Sequence, residues 1–151
     1  MKLSRTEQEL KVDSWTADYI TALNENFYNY QVQSYERMIE TSDSDYARER
    51  LETIKHRNPR DLYTYRSIKG RRYNKIVQRE FEDGKFRDTT VHAFIDKYTG
   101  EVYKPAGWAN PAKHVRYDMR IIKEREYIHN PDNIDYSGGH IYMRKTNESN
   151  S

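Results

Sequence analysis

The spacing of apolar residues along this chain changes once, near residue 60, and this change constrains the fold more than any other feature. Before it, large apolar side chains recur every three to five residues, which indicates amphipathic helices. After it, apolar and polar residues alternate, which indicates strands with one buried face. We therefore predict one α+β domain over residues 1–151, with two N-terminal helices packed on a small antiparallel β-meander of three to five strands.

The helical half is predicted to cover residues 1–57. Ser4 and Glu7 have the spacing of a capping box, which satisfies free amide groups at the start of a helix. The segment "TSDSD" at 41–45 separates the first helix from a shorter second one. A proline in "HRNPR" ends the second helix, because the residue before a proline disfavours the helical conformation. The apolar stripe of the first helix is Leu10, Val12, Trp15, Tyr19, Ile20, Leu23 and Phe27.

The β-rich half is predicted to cover residues 61–144, followed by a frayed tail at 145–151. Asp83-Gly84 is a strong hairpin signal, because both residues tolerate the positive φ of a tight turn. A second turn is predicted at Tyr98-Thr99-Gly100-Glu101. Between the turns, alternation places Val91, Ala93 and Ile95 on one face of a strand and His92, Phe94 and Asp96 on the other. Residues 115–128 fit a strand or a helix, and "IYMR" at 141–144 suggests a short edge strand.

Composition narrows the class of protein further. The chain is 35% hydrophobic and 33% charged, but its 14 tyrosines favour a thin core of large aromatic side chains over disorder. The absence of cysteine excludes disulfides, thiolate catalysis and thiolate metal sites. Neither a signal peptide nor an apolar run of about 18 residues is present, so we expect a soluble protein without a membrane partner.

Patterns that would indicate an enzyme or a cofactor are weak. The sequence has no H-E-x-x-H, G-x-S-x-G or phosphate-binding glycine loop, and we predict no cofactor. His92 and Asp96 would lie about 13 Å apart along a strand, too far for a catalytic pair. Two alternatives stay open. One is a metal site built from His92, His114 and His140 with Asp96 or Asp118, and the other is a serine site in "DYSGGH" at 135–140, whose glycines also suit a turn.

A basic, tyrosine-rich stretch gives the strongest functional signal. Between positions 66 and 79 there are six basic residues and no acidic one. Cations that neutralise phosphates beside rings that stack on bases are what single-stranded nucleic-acid binding requires. The alternative is a solvated strand whose charges prevent edge-to-edge aggregation. The predicted nucleic-acid-binding residues are Arg66, Lys69, Arg71, Arg72, Tyr73, Lys75 and Arg79.

The helical half offers a different function. Within residues 15–39, the stretch "NFYNYQVQSYERM" is rich in Tyr, Asn and Gln, and its aromatic residues and Met38 are typical of protein interfaces, although about half of them are needed for the core. The alternative prediction is therefore protein–protein binding through residues 15–39, with a host protein, a virion protein or a second copy as the partner. An enzyme is the third possibility.

The stretch "VHAFIDKYTGEVYKPAGWANPAKHVRYDMR", together with "DYSGGHIYMR", resembles a set of small proteins encoded by tailed bacteriophages. The resemblance covers roughly residues 60–144. It implies a viral origin, and hence the cytoplasm of an infected bacterial cell or the virion, but it carries no activity and no catalytic residue. The same stretch also has the turn, proline and aromatic residues of a hairpin followed by a basic loop. Its candidate ligand-loop residues are His92, Lys104, Trp108, Lys113 and Arg116.

Overall fold

A long helix, a short helix, a five-stranded sheet and a third helix follow one another in the computed structural model, which describes residues 4–142. This order confirms the predicted α+β fold. The elements are α1 (Arg5–Ser42), α2 (Asp45–Ile54), β1 (Thr64–Lys69), β2 (Tyr73–Glu82), β3 (Lys85–Asp96), β4 (Glu101–Tyr103), β5 (Tyr117–Asp118) and α3 (Ile122–Ile128), with a 3-10 turn at Pro131–Asn133.

Both N-terminal helices begin at the predicted caps. The Ser4 hydroxyl accepts a hydrogen bond from the Glu7 amide at 3.1 Å, and the Glu7 carboxylate accepts one from the Ser4 amide at 3.4 Å. α1 then runs unbroken to Ser42, and the Ser44 hydroxyl caps α2. The helix α2 packs mainly against α1, whereas α1 supplies the buried residues that face the sheet.

The five strands form an antiparallel meander in chain order, β1-β2-β3-β4-β5. The hairpin between β2 and β3 has the predicted two-residue turn, with a φ of 51° at Asp83 and 81° at Gly84. The second predicted turn joins β3 to β4 and places Gly100 at a φ of 81°. Both turn predictions are confirmed.

The predicted alternation along β3 holds for Ala93, Phe94 and Ile95 but is wrong for Val91 and His92, because the strand contains two β-bulges. Ile76 pairs with Ala93 but the next residue, Val77, pairs with Val91, so His92 is an extra residue on β3. A second shift makes Thr89 an extra residue. Each bulge reverses the alternation. Val91 and Ala93 therefore lie on opposite faces of the sheet, instead of sharing one as predicted.

The core lies between α1 and one face of the sheet, which we call the inner face. Its largest cluster joins residues of α1, all five strands and α3 and also includes Ile134 and Ile141. A smaller cluster of Val77, Val91 and Phe94 lies on the opposite side, which we call the outer face. Within residues 4–142, α1 and α3 contribute to the inner cluster and no helix contributes to the outer one, against which Ile68, Tyr73 and Tyr103 pack.

The two ambiguous segments near the C-terminus are now assigned. Residues 115–128 contain both predicted structures, since Tyr117–Asp118 forms β5 and Ile122–Ile128 forms α3. The prediction of a strand at 141–144 is wrong, because residues 139–142 are helical. Residues 143–144 and the predicted tail at 145–151 lie outside the described residues.

Candidate functional site

The outer face carries a row of aromatic rings across three strands and the following loop. Tyr73 on β2 contacts Phe94 on β3 and Tyr103 on β4, with both ring centroids 5.9 Å away. The Lys75 ammonium group lies 4.9 Å from the Trp108 ring and 5.9 Å from the Phe94 ring. Phe94 is buried, but Trp108 is 51% exposed and the two tyrosines are partly exposed. We call Tyr73, Lys75, Tyr103 and Trp108 the outer aromatic row.

Strand register explains this arrangement. Residues paired across neighbouring antiparallel strands share a face, so Lys75 lies beside Phe94, and Phe94 beside Tyr103. The loop after β4 folds back at the isolated bridge between Pro105 and Pro111. Trp108 at its tip lies near β2 and extends the row.

The structure separates the predicted basic residues instead of assembling them on one face. Arg66, Lys75 and Arg79 lie on the outer face with Tyr73, as their pairing requires. Lys69 lies on the inner face, and its ammonium group is 2.7 Å from the Asp13 carboxylate on α1. The remaining two, Arg71 and Arg72, lie in the turn between β1 and β2.

Carboxylates offset part of this positive charge. Arg66 donates two hydrogen bonds to Asp88, at 3.0 and 2.6 Å, and Arg79 lies 3.9 Å from the same carboxylate. The hydrogen bond from Arg66 lowers the pKa of Asp88. Arg72 donates to the buried carboxylate of Asp96 at 3.2 Å. The charge that sequence alone predicts is therefore larger than the charge available to a ligand.

Arg71 and Lys75 differ from the other predicted cations. Neither has a carboxylate within ion-pair distance among residues 4–142. Arg71 is exposed, and Lys75 is half-buried against the aromatic rings. These two side chains are the predicted cations that can contact an anion without first breaking an internal ion pair.

The ligand-loop residues do not converge on one site. Trp108 joins the outer aromatic row. The Lys104 ammonium group instead lies 4.5 Å from the ring of Tyr142, the last residue that the structure describes. Lys113 is exposed. Arg116 is 1% exposed and donates to the backbone carbonyls of Lys113 and His114, so it holds the base of the loop.

His92 belongs to a buried chain of hydrogen bonds on the inner face, which we call the histidine chain. The Tyr19 hydroxyl lies 2.7 Å from Nε2 of His92 and 2.7 Å from Nε2 of His140. The Asp135 amide donates to Nδ1 of His140, so Nε2 of that ring carries the proton and donates to Tyr19. Tyr19 then donates to His92, whose Nδ1 donates to the carbonyl of Tyr136 at 3.1 Å.

This arrangement satisfies both imidazoles in the neutral form. Burial lowers the pKa of His92 to about 3, with a further contribution from the nearby His140. Burial also lowers the pKa of His140 to about 4. Because Tyr19, His92 and His140 are each at most 8% exposed, we interpret the histidine chain as part of the core.

The structure supports neither the alternative of a serine site in "DYSGGH" nor that of a histidine metal site within residues 4–142. The Ser137 hydroxyl donates to the Asp135 carboxylate at 2.5 Å, while the His140 imidazole bonds to Tyr19 and to the Asp135 amide. The serine and histidine of "DYSGGH" therefore bond to separate partners. Within residues 4–142, no group of three or more His, Asp or Glu side chains could hold a metal ion.

Sequence reasoning missed two features of this region. Tyr103 is a member of the outer aromatic row, and its position two residues beyond the predicted Gly100–Glu101 turn was the available signal. Tyr19 was assigned only to the apolar stripe. Its hydrogen-bond partners are 73 and 121 residues away, so no local pattern reveals them.

Comparison with known proteins places the chain in a family. A family model described as a family of unknown function, DUF7717, matches residues 1–143. The chain belongs to DUF7717. The match includes the helical half, which the resemblance to phage proteins does not cover. No curated protein and no solved structure shows significant similarity to the chain. Membership of DUF7717 supplies no activity, so the function is inferred from the surfaces described above.

None of the helices within residues 4–142 combines the length and apolar character needed to cross a bilayer.

Proposed function

We propose that this member of DUF7717 binds single-stranded nucleic acid through the outer aromatic row. The observation that supports the proposal is a sheet face that the helices of residues 4–142 leave uncovered. On it the rings of Tyr73 and Tyr103 contact each other, and the ammonium group of Lys75 lies 4.9 Å from the Trp108 ring. Aromatic rings on an open antiparallel sheet are a common platform for unpaired bases, since every base has a face that can stack.

Each residue of the row has a distinct role in the proposal. The tyrosine and tryptophan rings stack on bases, and stacking is worth about 1–3 kcal/mol per base. Lys75 contacts a phosphate beside the rings, and Arg71 contacts a second phosphate at the β1–β2 turn. Arg66 and Arg79 share the Asp88 carboxylate, and in the proposal these ion pairs position the strands.

Two matched substitutions test the roles of base stacking and charge. Tyr73→Ser removes a ring, and Lys75→Gln removes a charge that has no carboxylate partner. Each should weaken binding to a labelled oligonucleotide by about tenfold, which corresponds to about 1.4 kcal/mol. Lys123→Gln is the control, because Lys123 is an exposed lysine on α3, away from the outer face. Equal affinities for all three variants would contradict the proposal.

We also propose a phage-type accessory role in the cytoplasm of the infected bacterial cell. The support is the resemblance of the β3–β4 hairpin and its loop to proteins of tailed bacteriophages. Immunoblots of infected cells and of purified virions test this placement. Detection in the cell lysate but not in the virion is expected, and incorporation into virions in many copies would contradict it.

Protein–protein binding through residues 15–39 is the second candidate. It is favoured by a groove of about 490 Å³ beside α1, lined by six aromatic side chains. They are Phe27, Tyr30, Tyr35, Tyr63, Phe81 and Tyr136. Tyr30 is 50% exposed there. If a second copy uses this groove, sedimentation velocity should show a dimer that is insensitive to salt and is lost in Tyr30→Ser. A monomer at all concentrations would exclude self-association through this face.

A further inference from the structure

A second groove lies beside α1, the helix that covers the inner face of the sheet. It is enclosed by the first turns of α1, by the turn between β3 and β4, and by the start of α3, and its volume is about 600 Å³. Cavities of about 300–1,000 Å³ are typical of small-molecule sites. The lining residues used below are Lys11, Trp15, Tyr98, Arg120, Ile122 and Arg125.

The charged side chains that line this groove are all cationic. Arg120 is offset by Asp118, to which it donates two hydrogen bonds at 3.0 and 2.8 Å. Lys11 and Arg125 are different, since within the described part of the chain neither has a carboxylate at ion-pair distance. The groove therefore carries positive charge that the protein does not neutralise internally.

Arg125 is held in place although it has no carboxylate partner. One of its Nη atoms donates to the Met119 carbonyl at 2.7 Å, and its guanidinium group lies 4.6 Å from the Trp15 ring centroid. Such a pre-oriented guanidinium group loses little conformational entropy when it binds an anion.

The walls beside these cations are apolar. Trp15 and Tyr98 present partly exposed rings, and Ile122 is 60% exposed at the start of α3. An exposed isoleucine next to two aromatic rings and two unpaired cations is suited to a ligand with a flat apolar body and a negative charge.

We propose that this groove binds a small organic anion, with its apolar body against Trp15, Tyr98 and Ile122 and its anionic group between Lys11 and Arg125. The site is independent of the outer aromatic row, so it stands whether or not the chain binds nucleic acid. Carboxylate is the anionic group used as the probe, and phosphate would use the same two cations.

The test uses 2-naphthoate and its neutral counterpart 2-naphthamide, with binding followed by ¹H–¹⁵N NMR of the indole groups. The chain has two tryptophans, and Trp108→Phe assigns both indole signals. We expect 2-naphthoate to shift the Trp15 signal saturably with a Kd of about 1 mM or tighter. The amide should bind at least about fivefold more weakly, the loss expected for one charge contact.

Two variants complete the test. Lys11→Gln changes an exposed side chain that has no ion-pair partner among residues 4–142, and it should weaken 2-naphthoate binding about fivefold. Lys123→Gln, on the solvent side of α3, should leave the Kd unchanged. The proposal would be overturned by equal affinity for the acid and the amide, by a Trp15 shift with the same Kd in Lys11→Gln as in the unmodified chain, or by no saturation in the millimolar range.

Discussion

Acidification should destabilise this fold because its core contains two neutral histidines. His92 and His140 are 6% and 8% exposed, and the four hydrogen bonds of their rings are satisfied only in the neutral form. Protonation of His92 would add a donor at Nε2, to which the Tyr19 hydroxyl already donates. Protonation of His140 would add a donor at Nδ1, to which the Asp135 amide already donates. The structure must therefore resist protonation until the pH is well below the ordinary pKa of histidine.

The sign and magnitude follow from linkage. Burial lowers the pKa of His92 to about 3 and that of His140 to about 4 in the folded chain, while the unfolded chain has a histidine pKa of about 6.5. Between these values the unfolded state binds more protons, so stability falls as the pH falls. From about pH 7 to about pH 5 the loss is about 2 kcal/mol per histidine, or about 4 kcal/mol for the pair.

Urea unfolding followed by circular dichroism at these two pH values measures the loss. His129 has a pKa that burial also lowers, so the measurement is best made in a His129→Gln background. The carboxylates with lowered pKa, Glu25 and Asp88, affect stability only at more acidic pH, where they are protonated in the unfolded chain. A loss below about 1 kcal/mol, or an imidazole NMR titration of His92 above pH 5, would refute the reasoning.

Three substitutions test other parts of the fold, with urea unfolding at neutral pH as the measurement. Tyr19→Phe leaves one donor and one acceptor of the histidine chain unpaired and should cost about 2–4 kcal/mol, whereas Tyr46→Phe, at a 61% exposed position, should cost almost nothing. Asp96→Ala removes a 3% exposed carboxylate that accepts two backbone amides of the following turn, and should cost about 2–4 kcal/mol, more than Asp96→Asn. Gly100→Ala should cost about 1–3 kcal/mol because its φ is 81° and its new Cβ would lie 3.3 Å from other side chains, whereas Gly107→Ala meets no atom within 4 Å and should be nearly neutral. Equal losses within any of these three pairs would contradict the assigned role.

Features set by local chemistry could be predicted from the sequence. The cap at Ser4, the Asp83-Gly84 turn and the change from helix to strand depend on residues within a few positions of one another. The meander could be predicted from the short turns between β2 and β3 and between β3 and β4, whereas the sequence left the full strand order open.

Features that depend on register or on distant partners could not be predicted. The extra residue His92 turns its ring to the inner face, and this depends on which residues of β2 pair with β3. The sequence overestimates the free positive charge of the basic stretch, because two of its cations form ion pairs. Lys69 pairs with a carboxylate on α1, 56 residues away, and Arg66 pairs with one on β3, 22 residues away. No local spacing identifies those pairs.

Binding of a labelled single-stranded oligonucleotide, measured by fluorescence anisotropy at two salt concentrations, tests the proposed function most directly. With Arg71 and Lys75 as the two phosphate contacts and a slope of about −0.7 per contact, affinity should fall about sevenfold between about 50 and about 200 mM salt. The variant Arg71→Gln with Lys75→Gln should bind weakly and lose this salt dependence. Absence of binding at the lower salt concentration, or a double variant that binds like the unmodified chain, would contradict the proposal that the outer aromatic row binds nucleic acid.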